Sequence, residues 1–280
     1  MSFLDRVRAC APADLSAYLP FRVGGHDVGW VRPGFAERLR LHGDVFRVDE
    51  AVSLAPGLDD PAGRTAAVEG VLRQLADEGL VSGWRSEPYP VATAFAAPAL
   101  MTLERAAVPL FGIRAYGVHL NGYVRDGAGL SMWIGRRAFD KPTAPGKLDQ
   151  IVAGGQPAGI STWDNLVKES AEEAGMAPGL VAAAHSVGAI SYCTERPEGL
   201  RSDVLFNYDL ELPADFRPVN TDGEIDDFYL WPIERVMETV RDSDEFKFNC
   251  ALVIIDFLIR HGHIGPEDAD YMDLIDGLHG

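Results

Sequence analysis

The chain has 280 residues, is 47% hydrophobic and carries a formal net charge of −17 at pH 7. This length and hydrophobic content predict one large or two modest domains with packed cores. The acidic balance argues against nonspecific binding to nucleic acid or to an anionic membrane surface.

The cysteines and the first residues bear on location. Cys10, Cys193 and Cys250 lie far apart and form no CxxC or Cys/His zinc spacing. A sparse, odd count is typical of a reducing compartment. The first twenty residues mix charged and apolar side chains, unlike a secretory signal. The chain contains no run of 18 apolar residues, so no membrane span is predicted. We therefore expect a cytoplasmic protein.

Residues 1–111 are predicted to form a small α+β domain. Helices are expected over 3–8, 13–18, 34–41 and 62–78, and strand-like pieces over 21–23, 45–48 and around 91–95. The helix over 62–78 has the clearest apolar stripe, and Gly79 is expected to end it. The pattern leaves open whether this domain acts as a lid or as a dimerisation module.

Residues 112–262 are predicted to form a second domain, followed by a C-terminal tail over 263–280. Two alternating segments, 115–125 and 130–136, flank an Asp126-Gly127 turn and predict a hairpin. Further strands are expected over 186–193, 202–211 and 228–231, with a loop over 194–200. Helices are expected over 233–241 and 249–261.

A cluster of acids follows a glycine-rich loop in the segment 154–176, GGQPAGISTWDNLVKESAEEAGM. Glu169, Glu172 and Glu173 are spaced i, i+3 and i+4, which places them within an arc of roughly 100° on one helical face. Like charges at these spacings repel, and three carboxylates suit a hard cation such as Mg²⁺ or Mn²⁺. The alternative interpretation is a solvated acidic helix face.

The rest of this segment supports a helix that begins near Ser161 and ends near Gly175. Ser161 followed by Asp164 resembles a capping box, and Gly175 stands where a left-handed residue is favoured. A core-facing stripe is expected from Trp163, Val167, Ala171 and Ala174. The preceding glycines allow the backbone to approach a phosphate closely.

The segment resembles the Nudix box, G-x5-E-x7-R-E-U-x-E-E-x-G-U, where U is a bulky aliphatic residue. The matching positions are Gly154, Glu169, Glu172, Glu173, Gly175 and Met176. Three positions depart from the box: Ile160 replaces its first Glu, Lys168 its Arg and Ser170 its aliphatic residue. Lysine keeps the positive charge but lacks the planar fork of arginine.

The resemblance implies a Nudix α/β/α sandwich with a mixed sheet and a metal-dependent hydrolase that cleaves a diphosphate linkage. It implies that Glu169, Glu172, Glu173 and the carbonyl of Gly154 bind Mg²⁺ or Mn²⁺. Lys168 would steer a carboxylate or contact phosphate, and Glu173 would also act in catalysis. The turn before the strand at 228–231 offers Glu224 as the further catalytic acid, with a solvated turn as the alternative.

The residues expected to contact the substrate come from three regions. Gly155 belongs to the glycine-rich loop, and Arg136 and Arg137 end a strand from which they could reach a diphosphate. Lys247 and Asn249 precede the last apolar helix, where a lysine could meet a phosphate. Exposed basic residues are more often simply solvated, and that alternative stays open here.

Two segments outside the Nudix-like box resemble one particular subfamily. Residues 99–124, ALMTLERAAVPLFGIRAYGVHLNGYV, and 246–262, FKFNCALVIIDFLIRHG, are similar to a Nudix subfamily related to thiamine pyrophosphokinase. The resemblance implies hydrolysis of damaged or oxidised thiamine diphosphate to the monophosphate. Another nucleoside diphosphate derivative such as ADP-ribose, and a non-catalytic ligand-sensing domain, are the alternatives. The expected partner is a small-molecule diphosphate, without nucleic acid or membrane, and a homodimer is possible.

Overall fold

The computed structural model describes residues 1–127 and 129–279. In chain order its elements are α1 (Phe3–Arg8), β1 (Leu19–Val23), β2 (His26–Val31), α2 (Pro33–Arg40), β3 (Phe46–Val48), β4 (Val52–Leu54), α3 (Pro61–Asp77), β5 (Pro88–Val91), β6 (Met101–Glu104), α4 (Val108–Phe111), β7 (Arg114–Asp126), β8 (Gly129–Arg137), β9 (Leu148–Gln150), β10 (Val152–Gly155), α5 (Thr162–Ala174), α6 (Pro178–Val181), β11 (His185–Arg196), β12 (Gly199–Glu211), β13 (Ile225–Pro232), α7 (Ile233–Asp242), α8 (Phe248–Arg260) and α9 (Tyr271–His279). Within the described ranges, none of the helices has the length and apolar character needed to cross a bilayer.

The N-terminal part packs helices against a small sheet of order β2-β1-β4-β3 and against the β5-β6 pair. Its core includes Phe21, Phe46 and Phe111, which are buried, and the rings of Phe21 and Phe46 each contact the ring of Phe111. Helix α3 begins at the capping residue Asp60, whose side chain accepts from two backbone N–H groups. Its buried side chains confirm the predicted apolar stripe, and Gly79 follows its end with φ +78°.

A seven-stranded mixed sheet forms the second part. Its main path is β11-β12-β7-β8-β13, with β10 paired to β7 and β9 paired to β8. Strands β12 and β7 run parallel, whereas β7 and β8 are antiparallel. Successive residues of β8 alternate between faces: Met132 and Ile134 pack in the cluster of α8, and Trp133 packs in the cluster of α5. The predicted α/β/α sandwich with a mixed sheet is confirmed.

The chain termini differ from expectation. Residues 263–280, expected to be a tail, include α9, whose Leu274 and Leu278 are buried. Helix α1, expected to belong with the N-terminal domain, packs against α9 and α8. A Cβ at Gly277 would lie 2.4 Å from Val7 Cγ1, so this glycine permits the close approach of α1 and α9. The boundary between residues 111 and 112 itself stays a prediction.

Several local expectations also change. The helix expected over 13–18 is a short 3₁₀ turn, Leu15–Ala17. The loop expected over 194–200 is much shorter, because β11 and β12 continue in register up to the pair Arg196 and Gly199. Strand β5 ends at Val91, and Phe95 lies beyond it as an exposed loop residue.

Candidate active site

Helix α5 carries the acids of the Nudix-like segment, and its ends follow the predicted capping. The Ser161 hydroxyl accepts from the Asp164 N–H at 3.1 Å, which satisfies one unpaired donor of the first turn. Gly175 ends the helix with φ +65°, a conformation that favours glycine. These local signals fix the start and the end of the helix.

The buried face of α5 agrees only in part with the expected stripe: Ala174 is buried and Val167 is partly buried against the core, as expected. Trp163, expected to face the core, is 39% exposed and meets Tyr208 edge-on. Leu166, Ser170 and Glu173 are buried instead. The helix is rotated about its axis relative to the prediction, so that Ser170 and Glu173 are buried. The carboxylate of Glu173 is therefore removed from water.

Glu173 is the most deeply buried of the three box acids, with 3% of its surface exposed. Its carboxylate accepts from the Ala153 N–H at 2.8 Å and makes no ion pair with any described residue. Burial, followed by the charge of Glu169, raises the pKa of Glu173 to about 8. A buried acid with so little compensation is costly unless a cation joins it.

Glu169 and Gly154 are in direct contact. A Cβ at position 154 would lie 2.3 Å from Glu169 Cγ, so only glycine leaves room for this side chain. Burial raises the pKa of Glu169 above its ordinary value. Lys168 Nζ lies 3.1 Å from Glu169 Oε1 and 2.7 Å from Glu172 Oε2, so it holds the two acids next to each other.

The box acids fit a hard divalent cation by donor type and by charge. Glu169 and Glu173 are turned inward beside Gly154, whereas Glu172 is 44% exposed and bound to Lys168. Within the described ranges the three carboxylates are not gathered within 4.8 Å of one another. A cation there would balance the charge on two buried acids, and Glu172 is the third carboxylate on the same helix.

A second group of possible ligands has its charge already balanced. His119, Asp149 and Cys250 are buried, with their donor atoms within 4.8 Å of one another. Asp149 pairs with Arg137 Nη1 at 2.8 Å and lies 3.6 Å from Lys247 Nζ. Although burial opposes it, these two cations hold the pKa of Asp149 well below its usual range. Because Asp149 already lies beside two cations, the box acids are the better candidate metal site.

A polar cavity of about 70 Å³ lies beside the glycine-rich strand β10. It contains three of the predicted substrate-contacting residues: Gly155, Lys247 and Asn249. Lys247 and Asn249 stand where α8 begins, which directs them toward β10 and the neighbouring strands. The cavity is lined by residues of both parts of the chain, among them Tyr89, Arg105, Tyr116, His119, Gly154, Arg201 and Asp203.

The structure does not place Arg136 or Arg137 in the lining of this cavity. Arg137 is 7% exposed and donates to Asp149 and to the backbone carbonyl of Thr143. Arg136 donates to the Gly146 carbonyl at 2.9 Å. Both guanidinium groups make hydrogen bonds within the protein, and their contact with a diphosphate stays a prediction.

Glu224 lies close to the box acids, and its charge contributes to the raised pKa of Glu173. It pairs with Lys141 and lies 3.9 Å from Arg85. Although partial burial opposes it, the Lys141 contact and the other nearby cations hold the pKa of Glu224 below its ordinary value. Glu224 is therefore an anchored carboxylate rather than part of a freely solvated turn; its catalytic role stays a prediction.

Several polar residues of the cavity were not predicted from the sequence, among them Tyr89, Arg105, Arg201 and Asp203. Arg201 and Asp203 are spaced i, i+2 on β12 and form an ion pair at 3.0 Å, so strand alternation could have placed them on one face. Tyr89 and Arg105 come from the N-terminal part. No local signal points to them, because tertiary packing brings them to the cavity.

The mixed sheet, the acidic helix and the adjacent cationic cavity are features of an α/β phosphohydrolase. A family model described as a domain of unknown function (DUF4743) matches residues 2–115. Over 289 residues the chain is 46% identical to Nudix hydrolase 20, chloroplastic, of Arabidopsis thaliana, covering 99% of this chain and 77% of that protein. It is also 46% identical to Nudix hydrolase 24, chloroplastic, of the same plant, covering 97% and 76%.

Among solved structures, the NUDIX domain of Shewanella oneidensis NrtR complexed with ADP ribose is similar, with a TM-score of 0.43 and 13% identity. The match covers 55% of this chain and 91% of that chain. The identity to the two plant proteins over nearly the whole chain shows that the chain belongs to the Nudix hydrolase family.

Proposed function

We propose that this Nudix hydrolase cleaves the diphosphate linkage of thiamine diphosphate, in particular its damaged or oxidised forms, to give the monophosphate. The observation that carries the hydrolase assignment is Glu173, a buried acid without an ion pair among the described residues, beside Glu169 and Gly154. The adjacent cavity has Gly154, Arg201 and Lys247 in its lining. A buried acid without an ion pair, next to a cavity with cationic side chains, suits a cation and a phosphate side by side.

In this proposal the carboxylates of Glu169, Glu172 and Glu173, with the Gly154 carbonyl, hold Mg²⁺ or Mn²⁺. Bound there, the ion would offset phosphate charge and lower the pKa of a water molecule. Lys168, which contacts both Glu169 and Glu172, keeps the two carboxylates directed toward a shared point.

Glu224 is proposed to accept the proton of the attacking water. Its lowered pKa keeps it ionised at neutral pH, and Lys141 holds it in place. Lys247 and Asn249 are proposed to bind phosphate oxygens from the start of α8, and the Gly155 backbone allows the diphosphate to approach closely.

An aromatic group beside the cavity supports a thiamine-type substrate. The rings of Phe95 and Tyr116 lie 4.8 Å apart, and Tyr116 stacks with Phe206 at 6.0 Å. Phe95 is 48% exposed, and Tyr116 also lines the cavity. Aromatic faces attract organic cations, and the thiazolium ring of thiamine carries a positive charge. The diphosphate would then lie toward the cations of the cavity.

The test is a substrate panel with Mg²⁺ or Mn²⁺: thiamine diphosphate, its oxidised forms, ADP-ribose, NADH and nucleoside triphosphates, with the products separated by chromatography. Metal-dependent release of monophosphate from the thiamine compounds alone supports the proposal. Turnover of ADP-ribose or NADH instead would change the proposed substrate but leave the assignment as a hydrolase in place. The aromatic group provides a further check, because Phe95→Leu should raise KM for thiamine compounds more than for other diphosphates.

Replacing Glu172 and Glu173 by Gln separates the enzyme from a ligand-sensing domain. A hydrolase should lose turnover with this double variant, whereas a sensor should have no turnover to lose and should keep most of its ligand affinity. The cytoplasmic location, a homodimer, the binding of Mg²⁺ or Mn²⁺ and the absence of nucleic-acid and membrane partners stay predictions.

A further inference from the structure

Arg105 brings a positive charge from the N-terminal part of the chain to the glycine-rich strand. A Cβ at Gly155 would lie 3.4 Å from Arg105 Cζ and 1.8 Å from Tyr89 Oη. Both side chains therefore lie directly against the backbone that leads to Gly154. Arg105 and Tyr89 also line the polar cavity beside that backbone.

The position of Arg105 is well fixed. It follows β6, and its backbone N–H donates to the Glu87 carbonyl at 3.0 Å. The next residue donates its N–H to the Glu104 side chain, which caps the short 3₁₀ turn. The guanidinium donates through Nη1 to Glu87 Oε2 at 2.7 Å and lies over the Tyr89 ring, 5.8 Å from its centroid. This anchoring lowers the entropy lost when the side chain binds a ligand.

The same guanidinium keeps donors available. Within the described ranges, Nη1 makes a hydrogen bond to a side chain, while Nε and Nη2 make none. The side chain is 44% exposed although it lines a cavity. The guanidinium lies against Gly155, and the neighbouring residue, Gly154, is in contact with Glu169. A planar fork with free N–H groups, next to the acids that would hold a cation, suits the oxygens of a phosphate.

We infer that Arg105 binds the diphosphate group of the substrate, so that the N-terminal domain completes the active site of the C-terminal one. The inference rests on the proposed diphosphate hydrolase function and adds a residue that the Nudix-like segment does not contain. Arg105 acts from the side of the cavity formed by β5 and β6, whereas Lys247 and Asn249 act from the start of α8. The N-terminal domain therefore has a direct role in substrate binding.

The experiment compares Arg105→Gln and Arg105→Lys with the matched control Arg73→Gln. Arg73 also belongs to the N-terminal domain and also forms an ion pair with a glutamate, at 2.5 Å, but lies outside the cavity. Two quantities are measured with Mg²⁺ present: the Kd of methylenediphosphonate, a non-hydrolysable diphosphate, by calorimetry, and the steady-state kinetics with the substrate that the panel identifies. The thermal unfolding midpoint of each variant reports whether the fold is kept.

We expect Arg105→Gln to weaken diphosphonate binding by about 10- to 100-fold, since a charged hydrogen-bonding partner is lost. KM should rise in parallel, with an unchanged unfolding midpoint. The Kd and KM of Arg105→Lys should fall between those of Arg105→Gln and the wild type, because lysine keeps the positive charge but lacks the planar guanidinium group. Arg73→Gln should stay within about twofold of the wild type in both quantities.

Binding and KM within about twofold of the wild type for Arg105→Gln would overturn the inference and leave the hydrolase proposal intact. A wild type that hydrolyses nothing in the panel would overturn the hydrolase proposal, and the diphosphonate Kd would still decide the role of Arg105. Absence of diphosphonate binding by the wild type would overturn the inference as well. If Arg105→Gln does not fold, Arg105→Lys supplies the same comparison.

Discussion

Replacing Glu173 by Gln measures how strongly the buried carboxylate destabilises the metal-free protein. The pKa of Glu173 is raised from an ordinary 4.5 to about 8. The folded state therefore keeps its proton at pH values where the unfolded state has lost it, so stability falls as pH rises from 4.5 to 8 and is level above 8. Over the roughly 2.5 units up to pH 7, at about 1.4 kcal/mol per unit, the loss is about 3 kcal/mol.

The assay is urea unfolding of the wild type, Glu173→Gln and the control Glu172→Gln in EDTA at pH 5, 6, 7 and 8. Glutamine does not titrate, so the difference in unfolding free energy between Glu173→Gln and the wild type should grow by about 3.5 kcal/mol between pH 5 and pH 8. Glu172→Gln removes a neighbouring box acid whose side chain is 44% exposed, so it controls for the loss of a box carboxylate as such. Parallel pH profiles for the wild type and Glu173→Gln would refute the argument that this buried carboxylate lacks compensation.

Three further substitutions test the surroundings of the site. Gly155→Ala would place a Cβ 1.8 Å from Tyr89 Oη, so it should lower the unfolding free energy by about 1–3 kcal/mol and reduce kcat/KM. Ser161→Ala should lower the unfolding free energy by about 1 kcal/mol through the loss of the helix cap. Arg137→Met should lower it by about 3 kcal/mol, because Asp149 stays buried without its closest cation. Chemical unfolding at constant pH checks all three.

The controls and contradicting results are specific to each substitution. Gly179→Ala adds a Cβ with nothing within 4 Å and should change stability little, so an equal effect of Gly155→Ala would contradict the steric argument. An unchanged unfolding free energy for Ser161→Ala would show that the Ser161 cap does not stabilise α5. A fully stable Arg137→Met would mean that Lys247, 3.6 Å from Asp149, compensates the carboxylate by itself.

The elements that depend on local patterns were predictable. The start and end of α5 follow from Ser161 and Gly175, since capping depends on residues next to each other in the chain. The strands β7 and β8 follow from the alternation of their side chains, and the apolar stripe identifies α3. The tail prediction failed because α9 is a short helix whose Leu274 and Leu278 are buried only through packing.

The composition of the site was less predictable. The spacing of the box acids predicted that they share one face of the helix. It did not predict the rotation of the helix that buries Glu173 and leaves Trp163 exposed. The pattern at the end of β8 did not show that Arg137 pairs with Asp149, a residue of the neighbouring strand β9. Arg105 was missed because its place in the cavity depends on how the two parts of the chain pack together.

The most direct test of the account is a titration of Mn²⁺ into the metal-free wild type, followed by electron paramagnetic resonance, with hydrolysis measured on the same samples. Bound Mn²⁺ and the rate of hydrolysis should rise together in the wild type. The Glu173→Gln and Glu169→Gln variants should lose both Mn²⁺ binding and hydrolysis while remaining folded. Undiminished Mn²⁺ binding in these two variants, or turnover of the wild type in EDTA, would contradict the claim that the box acids hold the metal required for diphosphate hydrolysis.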